Sequence, residues 1–166
     1  GLAKGEYYEK SILELLHAPG ASKYDQHTST AIKLYELYNM ERNTSRIGLA
    51  GLKPSEKMLF FLLKRLCDAD VTSGPVTVES VTADWRKLHG QLSQSATICL
   101  MNYYAERGHL VQVKELFENL ESSVSGVVQN VAWLRPLLYV HARRAELAEA
   151  IKEFDRISRD HHLEPD

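Results

Sequence analysis

The sequence predicts an all-α fold, and three observations carry that expectation. Apolar residues recur at helical spacing along almost the whole chain, no window alternates as a strand does, and the few breakers (5 Pro, 9 Gly) are placed to punctuate helices. With 166 residues, 44% hydrophobic and 25% charged, the chain has the composition of a globular protein and the length to bury a core.

Eight helices are expected, at roughly 5–17, 27–42, 54–68, 76–90, 94–107, 109–122, 129–144 and 146–161. The first two are set by apolar spacing alone. The third is opened by Pro54-Ser55-Glu56, with proline in the first turn and an acid near the positive end of the helix. Its run from Met58 to Leu63 is the longest apolar stretch, far short of the ~20 residues a membrane span needs. Gly74-Pro75 breaks the chain before the fourth helix, Gly108 separates the fifth from the sixth, and Ser122 to Gly126 reads as a loop before the seventh.

A repeat emerges when alternate helices are overlaid. The sixth helix carries Leu110, Val113, Phe117 and Leu120. A shift of 37 residues forward gives Leu147, Ala150, Phe154 and Ile157; shifts of 32 and 82 back give Val78, Val81, Trp85, Leu88 and Thr28, Ala31, Tyr35, Tyr38. Steps of three, four and three put all four rungs on one helix face, with a large aromatic third and a small or β-branched residue second. Four such ladders, on every second helix, predict an α-solenoid of about four stacked antiparallel helical hairpins. Its units fall at about 5–42, 54–90, 94–122 and 129–162 within a single domain spanning 1–166. The insert from Arg42 to Gly51 lengthens the first interval.

Charge and cysteine content narrow the function classes. The formal net charge is −2; residues 1–90 carry +1 and residues 91–166 carry −3. A protein that clamps nucleic acid through phosphates usually has a basic surplus, so any RNA-binding stripe is local here. Cys67 and Cys99 sit among leucines and read as buried thiols in a reducing compartment, too few for a disulfide scaffold or a zinc box. No secretory signal pattern is present and the chain begins with Gly1, which suggests an excised piece or a mature form. Glycine-rich phosphate loops, nucleophile elbows and His-Glu-x-x-His are absent from the sequence, so a binding surface is expected rather than an enzyme, with no cofactor and no metal.

The stretch from Ala96 to Leu120 carries Tyr104 shortly before Gly108, then Leu110, then the pair Leu116-Phe117 late in the second helix. The following stretch runs from Trp133 through Ala145-Glu146-Leu147 to Phe154 and ends Leu163-Glu164-Pro165-Asp166. These two units resemble pentatricopeptide repeats. The resemblance is weaker over 27–90, where Gly51-Leu52-Lys53-Pro54 is similar to a repeat terminus, and tetratricopeptide repeats share the hairpin. What it implies is an organellar protein, in the mitochondrial matrix, whose repeats read single-stranded RNA one base per repeat. One reader sits near the start of the first helix and the other ends the repeat. By that register Ile98 pairs with Asn130 and Arg135 with Asp166. Asn130 and Asp166 suit the second slot; Ile98 and Arg135 do not suit the first, where a small polar residue is typical. Asn102, Tyr139 and Arg143 complete the candidate set.

Several features have a plainer reading beside the functional one. Arg143-Arg144 closes the seventh helix, where cations are favoured, or contacts phosphate or an acidic partner. Lys64-Arg65 reads as a solvated stripe and His161-His162 as solvated tail residues. Of Tyr103-Tyr104, the second is expected in the core and the first is the freer stacking surface. The functions in competition are an RNA-binding factor in organellar RNA processing, stability or translation, and a protein-binding scaffold such as a respiratory-complex assembly factor or a component of the organellar ribosome. A repeat appendage beside an organellar enzyme is a third.

Overall fold

A computed structural model describes residues 4–18, 26–44, 53–123, 131–143 and 147–161. Among them every regular element is an α-helix: α1 Lys4–Leu16, α2 Gln26–Thr44, α3 Glu56–Ala69, α4 Val78–His89, α5 Gln94–Glu106, α6 Leu110–Ser123, α7 Val131–Arg143 and α8 Leu147–His161. All eight expected helices are present, and their ends fall within two residues of the expected ones. The chain divides into two compact units, Gly1–Ser93 and Gln94–Asp166.

In the first unit α1 pairs with α2, α3 with α4, and α1 also packs on α3. Each helix buries the stripe that its spacing dictates. On α1 that stripe is Tyr8, Ile12 and Leu16; on α2 it is Thr28, Ala31, Tyr35 and Tyr38, the full expected ladder. Helix α3 serves two neighbours, so its apolar face is broader: Met58, Leu59, Leu62, Leu63 and Leu66 are all inaccessible to solvent. On α4, Val78, Val81 and Trp85 are buried as the ladder predicts, and the indole Nε1 donates to Glu56 at 3.3 Å.

The helix ends show why the chain turns where it does. Pro54 does not lie in the first turn of α3, as the sequence suggested, but just before it. Ser55 is the N-cap, its hydroxyl accepting from the Met58 N–H at 3.2 Å, because a hydroxyl satisfies a donor that proline cannot help. Thr77 and Ser80 form a reciprocal capping box at the start of α4. Asp70 ends α3 in the left-handed conformation at φ 54°, its N–H bonded back to the Cys67 carbonyl at 3.2 Å.

Polar side chains tie the helices of this unit together. The Arg65 guanidinium donates to the Leu16 carbonyl at 2.7 Å and to the Thr28 hydroxyl at 3.1 Å. It thereby satisfies an orphan carbonyl at the end of α1 and bridges to α2. This corrects the expectation of a solvated Lys64-Arg65 stripe: Lys64 is exposed, whereas Arg65 is turned inward. The Tyr8 ring stacks on Tyr38 at 5.1 Å between centroids while its hydroxyl donates to Glu41 at 2.9 Å. Tyr35 donates to Asp84 at 2.8 Å, and burial, with the carboxylate beside it, pushes its hydroxyl far above the ordinary range, so it acts as a neutral donor.

In the second unit α5 pairs with α6, α7 with α8, and α7 packs on both α5 and α6. The α6 ladder buries Val113, Phe117 and Leu120. On α8, Ile157 is buried and Phe154 half-buried; the Leu147 and Ala150 side chains lie outside the described ones. The α5–α6 turn requires Gly108: at φ 72° it occupies the left-handed region that an L side chain rarely adopts. Its N–H bonds to the Ala105 carbonyl at 3.0 Å and the His109 N–H to the Tyr104 carbonyl at 2.9 Å, closing the end of α5.

Candidate functional site

Between α5 and α7 lies an open groove of about 600 Å³. The helical period explains its lining. Asn102, Ala105 and Glu106 fall on one face of α5, and Arg135, Leu138, Tyr139 and Ala142 on one face of α7. Small side chains, Ala105 and Ala142, leave the space; Leu138 contributes apolar surface; Asn102, Glu106, Arg135 and Tyr139 are exposed around it. Pro136, inside α7 and buried, supplies no backbone N–H to its helix.

Among the described residues, Asn102, Arg135 and Tyr139 make no hydrogen bond or ion pair, and Tyr139 is 49% exposed. Glu106 comes no nearer than 3.8 Å to Arg107, too far for a hydrogen bond. Arg107 is engaged elsewhere: its guanidinium lies 3.7 Å from the Tyr103 ring centroid and donates to the Tyr103 carbonyl at 2.8 Å. The wall of the groove is mainly apolar, and the residues that line it carry an amide, a carboxylate, a guanidinium and a phenol.

Three of the seven residues proposed from sequence line the groove: Asn102, Arg135 and Tyr139. Ile98 sits one turn before Asn102 on α5, half-buried and outside the lining. Arg143 is exposed at the last position of α7, and its Cγ would lie 3.8 Å from a Cβ at Gly108, so its stem runs beside the α5–α6 turn. Asn130 and Asp166 lie outside the described residues. Glu106 and Leu138 were missed, although steps of three and four from Asn102 and Arg135 place them on the same faces.

Two further expectations are corrected. Tyr103 is buried at 6% exposure beneath Arg107, whereas Tyr104 is half-buried, the reverse of the assignment made from sequence. Cys67 is buried as expected, but Cys99 is only partly so. His141 is buried on α7, and among the described residues no group of three His, Cys, Asp or Glu is arranged to hold a metal. No described helix is long and apolar enough to cross a membrane. The His161 side chain and His162 lie outside the described ones.

No protein family, curated protein or solved structure matches this chain.

Proposed function

We propose that this chain is an RNA-binding helical-repeat protein of pentatricopeptide type, acting in mitochondrial RNA processing, stability or translation. The observation that carries the reading is the groove between α5 and α7, where Asn102, Arg135 and Tyr139 have no partner among the described residues. A single-stranded nucleic acid needs a ring to stack on, a group to meet a base edge and a cation for phosphate. Tyr139 offers the first, the Asn102 amide the second and the Arg135 guanidinium the third. The repeated ladders on α2, α4, α6 and α8 support a solenoid of stacked hairpins, in which the first helix of each pair faces the ligand. The matrix location and the role in transcript handling rest on the resemblance of residues 93–166 to pentatricopeptide repeats.

One observation favours a second reading. Glu106 and Arg135 balance within the groove, and residues 91–166 carry −3. A surface of that kind suits a peptide segment, as on an assembly factor of a respiratory complex or a component of the organellar ribosome.

Fluorescence polarisation with random single-stranded RNA at two salt concentrations separates the two. RNA binding predicts a saturable signal that weakens as salt rises and is reduced by Tyr139→Ala and by Arg135→Ala, with melting unchanged in either variant. A flat titration up to about 100 μM protein, the weak end of non-specific nucleic-acid binding, overturns the reading in favour of the scaffold.

A further inference from the structure

Resting on RNA binding at this site, we infer that the groove selects bases that present an amino group, cytosine over uracil in the clearest case, and that Glu106 sets the preference. Glu106 is one helical turn from Asn102 and lines the same surface as Tyr139 on the facing helix. Its side chain is 67% exposed, and its nearest cation, at 3.8 Å, is Arg107, already committed to the Tyr103 ring and carbonyl. The carboxylate thus has a loose ion pair with Arg107 and, among the described residues, accepts no hydrogen bond, which leaves its oxygens able to accept from a ligand.

A carboxylate accepts hydrogen bonds and donates none. Cytosine carries an amino donor at N4, where uracil carries a carbonyl acceptor; facing Glu106, the first forms a bond and the second opposes two sets of lone pairs. The two rings are of equal size, so stacking on Tyr139 does not distinguish them. Asn102 cannot supply the preference, because an amide both donates and accepts and suits either base. Charge also orients the nucleotide: phosphate is repelled by Glu106 on α5 and attracted by Arg135 on α7, which leaves the base edge on the Glu106 side. The combination of acid and base across the groove, which argues against a purely electrostatic clamp, becomes on this view the means of placing a base and its backbone.

The test compares oligocytidine with oligouridine of equal length at neutral pH, using the whole chain and its Glu106→Gln and Tyr139→Ala variants. The expected result is tighter binding of oligocytidine by about tenfold, the discrimination of one good side-chain–base pair. Glu106→Gln, whose amide donates as well as accepts, brings the two affinities together while retaining binding; Tyr139→Ala weakens both alike. Equal affinities in the wild type, or a cytosine preference that survives Glu106→Gln, overturn the inference and leave RNA binding standing. Failure to bind either oligonucleotide overturns the RNA-binding reading itself.

Discussion

The two compact units use the same apolar pattern and spend their polar side chains differently. In the first, Arg65, Tyr8, Tyr35 and Trp85 reach from one helix to another, and His89 on α4 reaches through its Nε2 to the Pro54 carbonyl, just before α3, at 2.7 Å. In the second, Arg156 on α8 reaches Glu121 on α6 at 3.9 Å, while Asn102, Arg135 and Tyr139 stand around a groove with no partner among the described residues. A buried polar group without a partner costs about 1–3 kcal/mol, so a fold directs such groups to one another wherever water is excluded. Asn102, Arg135 and Tyr139 are exposed to water, where an unpaired polar group carries no such cost. The contrast is between a first unit rich in cross-helix hydrogen bonds and a second whose α5 and α7 carry polar side chains around an open groove.

The largest expected effect tests what the units share. Trp85 and Phe117 occupy the same rung of their ladders, at 0% and 2% exposure. Truncating either to alanine removes a filled aromatic volume and is expected to cost about 3–5 kcal/mol in chemical denaturation. Tyr139→Ala, on the open face, is expected to change stability by less than about 0.5 kcal/mol. If Trp85→Ala and Phe117→Ala leave the unfolding midpoint unchanged, the common register is wrong. If Tyr139→Ala destabilises like them, the groove is core rather than a binding surface.

Next in size is the clamp that distinguishes the first unit. Arg65 binds the Leu16 carbonyl and the Thr28 hydroxyl, and Thr28 is fully buried. Arg65→Ala leaves both acceptors without that donor and is expected to cost about 2–3 kcal/mol, the range for losing charge-assisted hydrogen bonds in a sheltered site. Lys64→Ala, next door and exposed, serves as the control and is expected to fall within about 0.5 kcal/mol of the parent. Equal and small effects for the two would return Arg65 to the solvated stripe that the sequence suggested.

How far the chain could be read from its sequence follows from the range of the forces involved. Helices and their buried faces are dictated by spacing of three and four residues, a local property. All eight helices, and the burial of Ala31, Tyr35, Val81, Trp85, Val113 and Phe117, were visible for that reason. Arg65 was misread because its partners lie 37 and 49 residues away, and no local pattern announces them. Tyr103 and Tyr104 were exchanged because adjacent helical residues differ by about 100° in direction, and the rotation of α5 against α6 and α7 decides which is covered. Of the site, Asn102, Arg135 and Tyr139 could be named from the repeat register. Glu106 was not singled out, since one exposed glutamate at the end of a helix looks like any other until a second helix forms a groove beside it.

The smallest expected effect concerns the edge of the first unit, where Lys4, Tyr8 and Glu41 meet. Lys4 Nζ lies 2.8 Å from the Glu41 carboxylate, which also accepts from the Tyr8 hydroxyl. The Lys4 hydrogen bond, then that of Tyr8, holds the Glu41 carboxyl below its ordinary value of 4.5. A carboxyl depressed in the folded state contributes stability that is fully present above its unfolded value and is lost as pH falls through the folded one. The difference in melting temperature between the wild type and Glu41→Gln is therefore expected to be constant above about pH 5 and to shrink below about pH 4. High salt is expected to reduce it as well, because Lys4 is exposed and the pair is screened. If the difference grows as the solution is acidified, the carboxylate is not what α1 and α2 share at this edge, and the stacked Tyr8 and Tyr38 rings alone hold it closed.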